Sequence, residues 1–260
     1  MSGARLLGLD LAWVPTNPSG LAVLDERGCL LHASADRYGD DAILAWVHEW
    51  IGPCGVLAFD MPTIVTNPTG SRAAEQRLNR VFRKYQAGAY PANRGLAPFR
   101  DGGRAARLIA ALGASHGVCE DTRIVPDDPR NVAIEVFPHA AHVRLFGLPS
   151  TFKYKKKQRP WIDVWAEWAR YRAALESMAG ADPPLTFGAI EIPETVACKG
   201  KAYKRCDDIL DAITCAYVAA YAHRWGGAGV EVFGDLQDGY IVVPKGPAFS
   251  HQASGVSDGR

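Results

Sequence analysis

No apolar run in this 260-residue chain approaches the ~20 residues that a membrane-spanning helix needs. The longest candidate, ILDAITCAYVAAYA, is interrupted by Asp211. The six cysteines (29, 54, 119, 198, 206 and 215) contain no CxxC pair and no regular framework, which argues against a disulfide scaffold. No signal peptide stands at the start, so the thiols are expected to be reduced and the protein soluble and cytoplasmic. A one-sided charge is missing too: the net charge of +1 gives no global field for nucleic acid or a membrane surface. There is no internal repeat and no low-complexity segment.

What is present is an ordinary globular composition, 48% hydrophobic and 22% charged, in a chain long enough to bury a sizeable core. Charge is uneven along it. Between Arg72 and Arg107 nine basic residues face two acidic ones, and KYKKKQR places five positive charges between Lys153 and Arg159.

The first 36 residues read as three strands, RLLGLDLAW, LAVLD and CLLHASAD, separated by the turn clusters PTNPSG and DERG. Such short connections predict an antiparallel meander. DDAILAWVHEWIG has helical spacing, and GVLAFDMP is a continuous apolar run of the kind found in parallel strands buried on both faces. Residues 70 to 117 are expected to be helical around the loop AGAYPANRGLAPFRDGG. NVAIEVFP reads as a further strand. HAAHVRLFGL, WIDVWAEWARYRAALESMAG and DDILDAITCAYVAAYAHRWG read as helices, the last from Asp207 to about Trp225. GVEVFG and GYIVVP suit a closing hairpin. This order predicts a mixed α/β fold with one central sheet.

Asp10 sits inside the first apolar strand, where a carboxylate without a partner is costly. Asp60 ends the fourth strand, Glu135 lies in the next, and Asp208 and Asp211 share a face of the last helix. If the first and fourth strands are neighbours, Asp10 and Asp60 come together at the sheet edge, and a helix packed over that edge adds Asp208 or Asp211. Carboxylates so close repel unless a cation intervenes, and Mg²⁺ or Mn²⁺ suits oxygen ligands. Two such ions ~3.5–4 Å apart are the usual arrangement for in-line phosphodiester hydrolysis. Plainer roles exist for each acid. Asp60 before Met61-Pro62 suits a turn, Asp207 or Asp208 suits a helix N-cap, and Glu135 suits pairing with an arginine.

The chain resembles the ribonuclease H-like fold, and more closely the family of unknown function DUF429, described as predicted ribonuclease H-like nucleases. GLDLAW with SGLAVLD, FDMP, TGSRAAEQRLNRVFRKYQAGAYPANR, EVFPHAAHVRLFGL, KYKKK, DDILDAITCAYVAAY and DGYIVVP carry the likeness. DxxDA, from Asp208 to Ala212, is similar to the closing motif of the resolvase branch. The resemblance implies a mixed five-stranded sheet flanked by helices in a single domain over residues 1–245. Helical insertions are implied at about 61–130 and 138–206, followed by a flexible tail at 246–260. It places metal-binding roles on Asp10, Asp60, Glu135 and Asp211, with Asp208 as competitor or second ligand, and implies a divalent-metal-dependent nuclease.

For a nucleic-acid substrate, Arg72, Arg83, Lys84, Arg94, Lys153 and Lys155 are candidate phosphate contacts, Tyr90 a stacking platform and Asn93 a polar contact of the same loop. A solvated helix face or a flexible lysine run is the plainer reading of most of these charges. His139 and His142 lack a third zinc ligand, and His139 stands as a candidate general acid or base. WIDVWAEW reads as a packing stripe. Two alternatives to a nuclease remain: a non-catalytic binding protein on the same scaffold, and a sugar-kinase-like phosphotransferase. The latter is disfavoured because FDMPT has proline where a phosphate hairpin needs glycine.

Overall fold

The computed structural model describes residues 3–192 and 198–246. The tail expected after residue 246 lies outside the described residues. Three antiparallel strands come first, β1 (Arg5–Asp10), β2 (Ser19–Asp25) and β3 (Leu30–Asp36), followed by helix α1 (Asp40–Trp50). Strand β4 (Gly55–Phe59) then pairs parallel with β1, and β6 (Asn131–Glu135) pairs parallel with β4. A two-residue strand, β5 (Cys119–Glu120), adds a sixth member, giving the order β3-β2-β1-β4-β6-β5. The sheet is thus the expected mixed, antiparallel-then-parallel one with an extra edge strand. Two residues carry too little pattern for β5 to show in the sequence.

Alternation fixes two cores. Leu7, Leu9, Leu57, Phe59 and Ala133 face one side, where Ile43 and Val47 of α1 and Leu108 and Leu112 of α3 (Arg104–His116) cover them. Leu6, Val56, Ala58, Ile134 and Val136 face the other, under α6 (Gly200–Gly229). α6 is interrupted at Gly226 (φ 51°), close to the expected end at Trp225. Its start lies seven residues before the expected one, so Asp207 and Asp208 stand inside the helix and neither is its N-cap.

α6 approaches the sheet closely because of two glycines. A Cβ on Gly8 would stand 2.1 Å from the Ala212 carbonyl oxygen, and one on Gly20 would stand 2.0 Å from that of Asp208. Any side chain at either position lifts the helix. The glycines of GLDLAW and SGLAVLD therefore let the acids of α6 reach the sheet edge.

Between β4 and β6 lie α2 (Ala73–Phe82) and α3, and between β6 and α6 lie α4 (Pro138–Leu145) and α5 (Trp161–Glu176). The hairpin of β7 (Val230–Asp235) and β8 (Gly239–Pro244) forms as expected and packs a third apolar cluster with α2 and α4. Among the described residues no helix is long and apolar enough to cross a membrane.

Candidate active site

The parallel pairing of β1 with β4 brings Leu9 opposite Phe59, and the Asp60 N–H donates to the Leu9 carbonyl at 2.9 Å. The next residues in that register are Asp10 and Asp60, on the α6 side of the sheet. They sit at the floor of a cavity of about 750 Å³. Burial pushes the Asp10 carboxyl up to about 6, helped by the neighbouring Asp211 charge. Burial, then Asp10 and Asp211, pushes Asp60 well above the usual carboxylate range. Among the described residues neither carboxylate accepts a hydrogen bond or forms an ion pair within contact distance.

Glu135 is different although it ends the adjacent strand. Its register partner is Phe59, so it is one residue out of phase with Asp60. Arg72 grips it from two sides, Nη2 to Oε1 at 2.6 Å and Nη1 to Oε2 at 2.8 Å, and the Thr63 N–H donates to Oε2 at 2.9 Å. Arg72 also donates to Glu75 through Nε at 2.8 Å, and both partners are buried. Burial still leaves Glu135 somewhat above its ordinary value, with Arg72 pulling the other way. Glu135, read above as a metal ligand, has both oxygens engaged. Arg72, read above as a phosphate contact, is 2% exposed and turned inward. A bidentate arginine fork on a buried carboxylate accounts for both.

The acids of α6 carry their own cations. Asp207, Asp208 and Asp211 are all buried. Lys204, one turn before, pairs with Asp208. Lys155 places its Nζ 2.5 Å from Asp211 Oδ2 and 2.8 Å from Asp207 Oδ1. Asp211 Oδ1 accepts from the Tyr154 hydroxyl at 2.6 Å and from that of Tyr171 at 3.3 Å. Burial alone would raise Asp211, but the Lys155 ammonium and its hydrogen bond hold it below the ordinary range. Asp207 is pushed up to about 6 by burial against the pull of Lys155.

The wall and rim of the cavity include Trp13, Arg83, Tyr90, His139, Lys153, Lys157 and Arg159. Tyr90 is 67% exposed, with the Lys157 ammonium 5.8 Å from its ring centre. Trp13, which the sequence reading passed over, sets its ring edge-on to Phe99 at 4.8 Å. His139 accepts or donates through Nδ1 to the Thr151 hydroxyl at 3.1 Å, and burial drops its pKa to about 4, so it is neutral at pH 7. His142 lies deeper, 4.3 Å from the Tyr171 ring, as packing. Of the other predicted contacts, Lys84 lies over Tyr85 and outside the cavity lining. Arg94 donates to the Val65 carbonyl and Asn93 to that of Gly70, both holding loop backbone.

Among the described residues no three His, Cys, Asp or Glu side chains form a ready-made metal cage. Two oxygen donors without cation partners remain, Asp10 and Asp60. Mg²⁺ is commonly held by one or two carboxylates, with waters and substrate phosphates completing the shell. The donor set fits one such ion.

Residues 8–237 match the model of a family described as "Protein of unknown function (DUF429)". No curated protein and no solved structure matches the chain.

Proposed function

We propose, for a chain that belongs to the DUF429 family, that this cavity hydrolyses phosphodiester bonds of a nucleic acid with a divalent cation held by Asp10 and Asp60. The observation that carries the reading is the charge pattern. Every other acid of the cluster has a lysine or arginine within contact distance, whereas these two carboxylates face the cavity with none. Two half-buried neighbouring anions without a counter-charge in contact are destabilising, and a bound Mg²⁺ or Mn²⁺ relieves that cost.

The ion would lower the pKa of a bound water and polarise the phosphate. The chain's own residues do the rest. Asp10 and Asp60 fix the position of the attacking oxygen at the sheet edge. Lys153, Lys157, Arg159 and Arg83 surround the mouth with positive charge that suits backbone phosphates, and Tyr90 offers an exposed ring for a base. Neutral His139 stands on the wall as an acceptor for a water proton. In the reaction an oxygen–phosphorus bond forms, the ester P–O bond breaks, and the departing oxygen takes a proton from solvent.

The test is incubation of the protein and an Asp10→Asn variant with single- and double-stranded DNA and RNA, in Mn²⁺, Mg²⁺ or EDTA. Cleavage that requires metal and disappears in the variant is expected. Binding of a nucleic acid without cleavage under every condition would replace this reading with a non-catalytic binding protein. The internal pairing of Asp207 and Asp211 with Lys155 is the observation that favours that second reading.

A further inference from the structure

Lys155 is the one basic residue of the KYKKKQR segment whose ammonium reaches into the acidic cluster. Its Nζ bridges Asp207 and Asp211 at 2.8 and 2.5 Å, and those charges, with Asp10, hold its pKa well above the ordinary lysine value despite burial. The lysine is fixed in place. The Tyr154 carbonyl accepts from the Tyr203 hydroxyl at 2.6 Å, and the Lys155 carbonyl accepts from Arg159 Nη1 at 2.9 Å. Tyr154 itself is fully buried, so the backbone on both sides of Lys155 is anchored.

We propose that Lys155 takes the place of a second divalent cation, so that the centre holds a single metal ion, at Asp10 and Asp60, beside a permanent ammonium on the α6 side. This inference rests on the metal-site reading above. The geometry carries it in two steps. A divalent ion on Asp211 needs an oxygen ~2.0–2.2 Å away with an open face. Both oxygens of Asp211 are already engaged, one by Lys155 and the other by Tyr154. A lysine ammonium then supplies charge and N–H donors but no coordination position. It neutralises the helix acids without activating water, which leaves that task to the Asp10–Asp60 side. The α6 aspartates are on this account positioning residues that hold a cationic side chain against the reacting phosphate.

The test counts bound Mn²⁺ per chain, by titration with paramagnetic detection of the free ion, in the wild type, Lys155→Met and Asp10→Asn. The expected counts are one, two and none. Two ions on the wild type would overturn the inference while leaving the Asp10–Asp60 site intact. None on the wild type would overturn the metal-site reading itself. A folded Lys155→Met that still binds one ion would show that the lysine does not hold a cation's place. If Lys155→Met folds only when Mn²⁺ is present, the ion has substituted for the ammonium, which supports the inference. If it stays unfolded in Mn²⁺, the inference fails.

Discussion

Asp60 directly follows β4 and Glu135 ends its parallel neighbour β6, one residue out of phase, and the protein treats their charges in opposite ways. Glu135 receives a fully formed arginine fork and a backbone N–H, in a buried network with Glu75. Asp60 has no cation within contact distance among the described residues, and the charges of Asp10 and Asp211 push its pKa up against the weaker, more distant pull of Lys155. Both are acids at one sheet edge with raised pKa values, Glu135 buried and Asp60 half-buried, so a raised pKa does not separate a structural carboxylate from one poised for a ligand. The counter-charge does. A buried anion already satisfied by the chain supports the fold, and one left unsatisfied beside a cavity is a place for something from solution.

The comparison breaks most violently through Arg72. Replacing Arg72 with Ala strands Glu135 and Glu75, two buried carboxylates with no other cation in contact among the described residues. Removing one partner of a buried pair typically costs about 3–5 kcal/mol. For a chain of this size, that lowers Tm by roughly 10 °C. Thermal unfolding followed by far-UV circular dichroism measures it, and the double variant Arg72→Met with Glu135→Gln should recover part of the loss. A wild-type-like Tm for Arg72→Ala would mean that the fork is not holding the insertion to the sheet.

On the other side of the comparison the sign reverses. The Asp10 carboxyl rises from 3.8 to about 6 on folding, chiefly through burial. A group whose folded pKa is raised favours the fold at low pH and loses that contribution as pH climbs through the folded value. Asp10→Asn should therefore stabilise the metal-free protein at pH 7.5, by about 1–2 kcal/mol once the open cavity is allowed for. The gain should fade as pH falls below 6 and be nearly gone by about pH 3, where the wild-type carboxyl is largely protonated both folded and unfolded. Millimolar Mn²⁺ should narrow it as well, by raising the wild-type Tm alone. A variant less stable than wild type at pH 7.5 without metal would show that Asp10 is satisfied by the protein after all.

Much of this was legible in the sequence, and what was not has a definite cause. The meander, the parallel strand after α1, and the meeting of Asp10 with Asp60 follow from the alternation of apolar residues. The same alternation, followed to VAIEVF, places Glu135 out of phase with Asp60, but only once the register Phe59 to Glu135 is known. No local signal in either strand fixes that register. The Arg72–Glu135 partnership spans 63 residues of chain. It was visible only as a possibility, because a basic residue near a helix start looks alike whether it turns in or out. Lys155 was named from the sequence only as a phosphate contact, and its pairing with Asp207 and Asp211 was hidden for a related reason: four lysines in five positions look like a solvated run, and only the fold selects the one that enters the cluster. The two glycines of β1 and β2 did not announce their purpose either, since the helix they admit lies roughly 190 residues later.

The smallest expected effects lie at the cavity mouth, where the comparison passes from charges within the fold to charges offered to solution. Tyr90 is mostly exposed, so Tyr90→Ala should leave Tm unchanged. It should weaken binding of a single-stranded oligonucleotide about tenfold, the usual size of one lost base-stacking contact. Lys153→Ala should act through charge instead, reducing the slope of log affinity against log salt by about 0.7 for a single strand. Fluorescence anisotropy of a labelled oligonucleotide between 50 and 200 mM salt separates the two, because stacking shifts the line and a phosphate contact tilts it. If neither variant moves the line, the basic rim is a solvated surface. The uncompensated pair beneath it would then have to serve a smaller phosphodiester than a nucleic-acid strand.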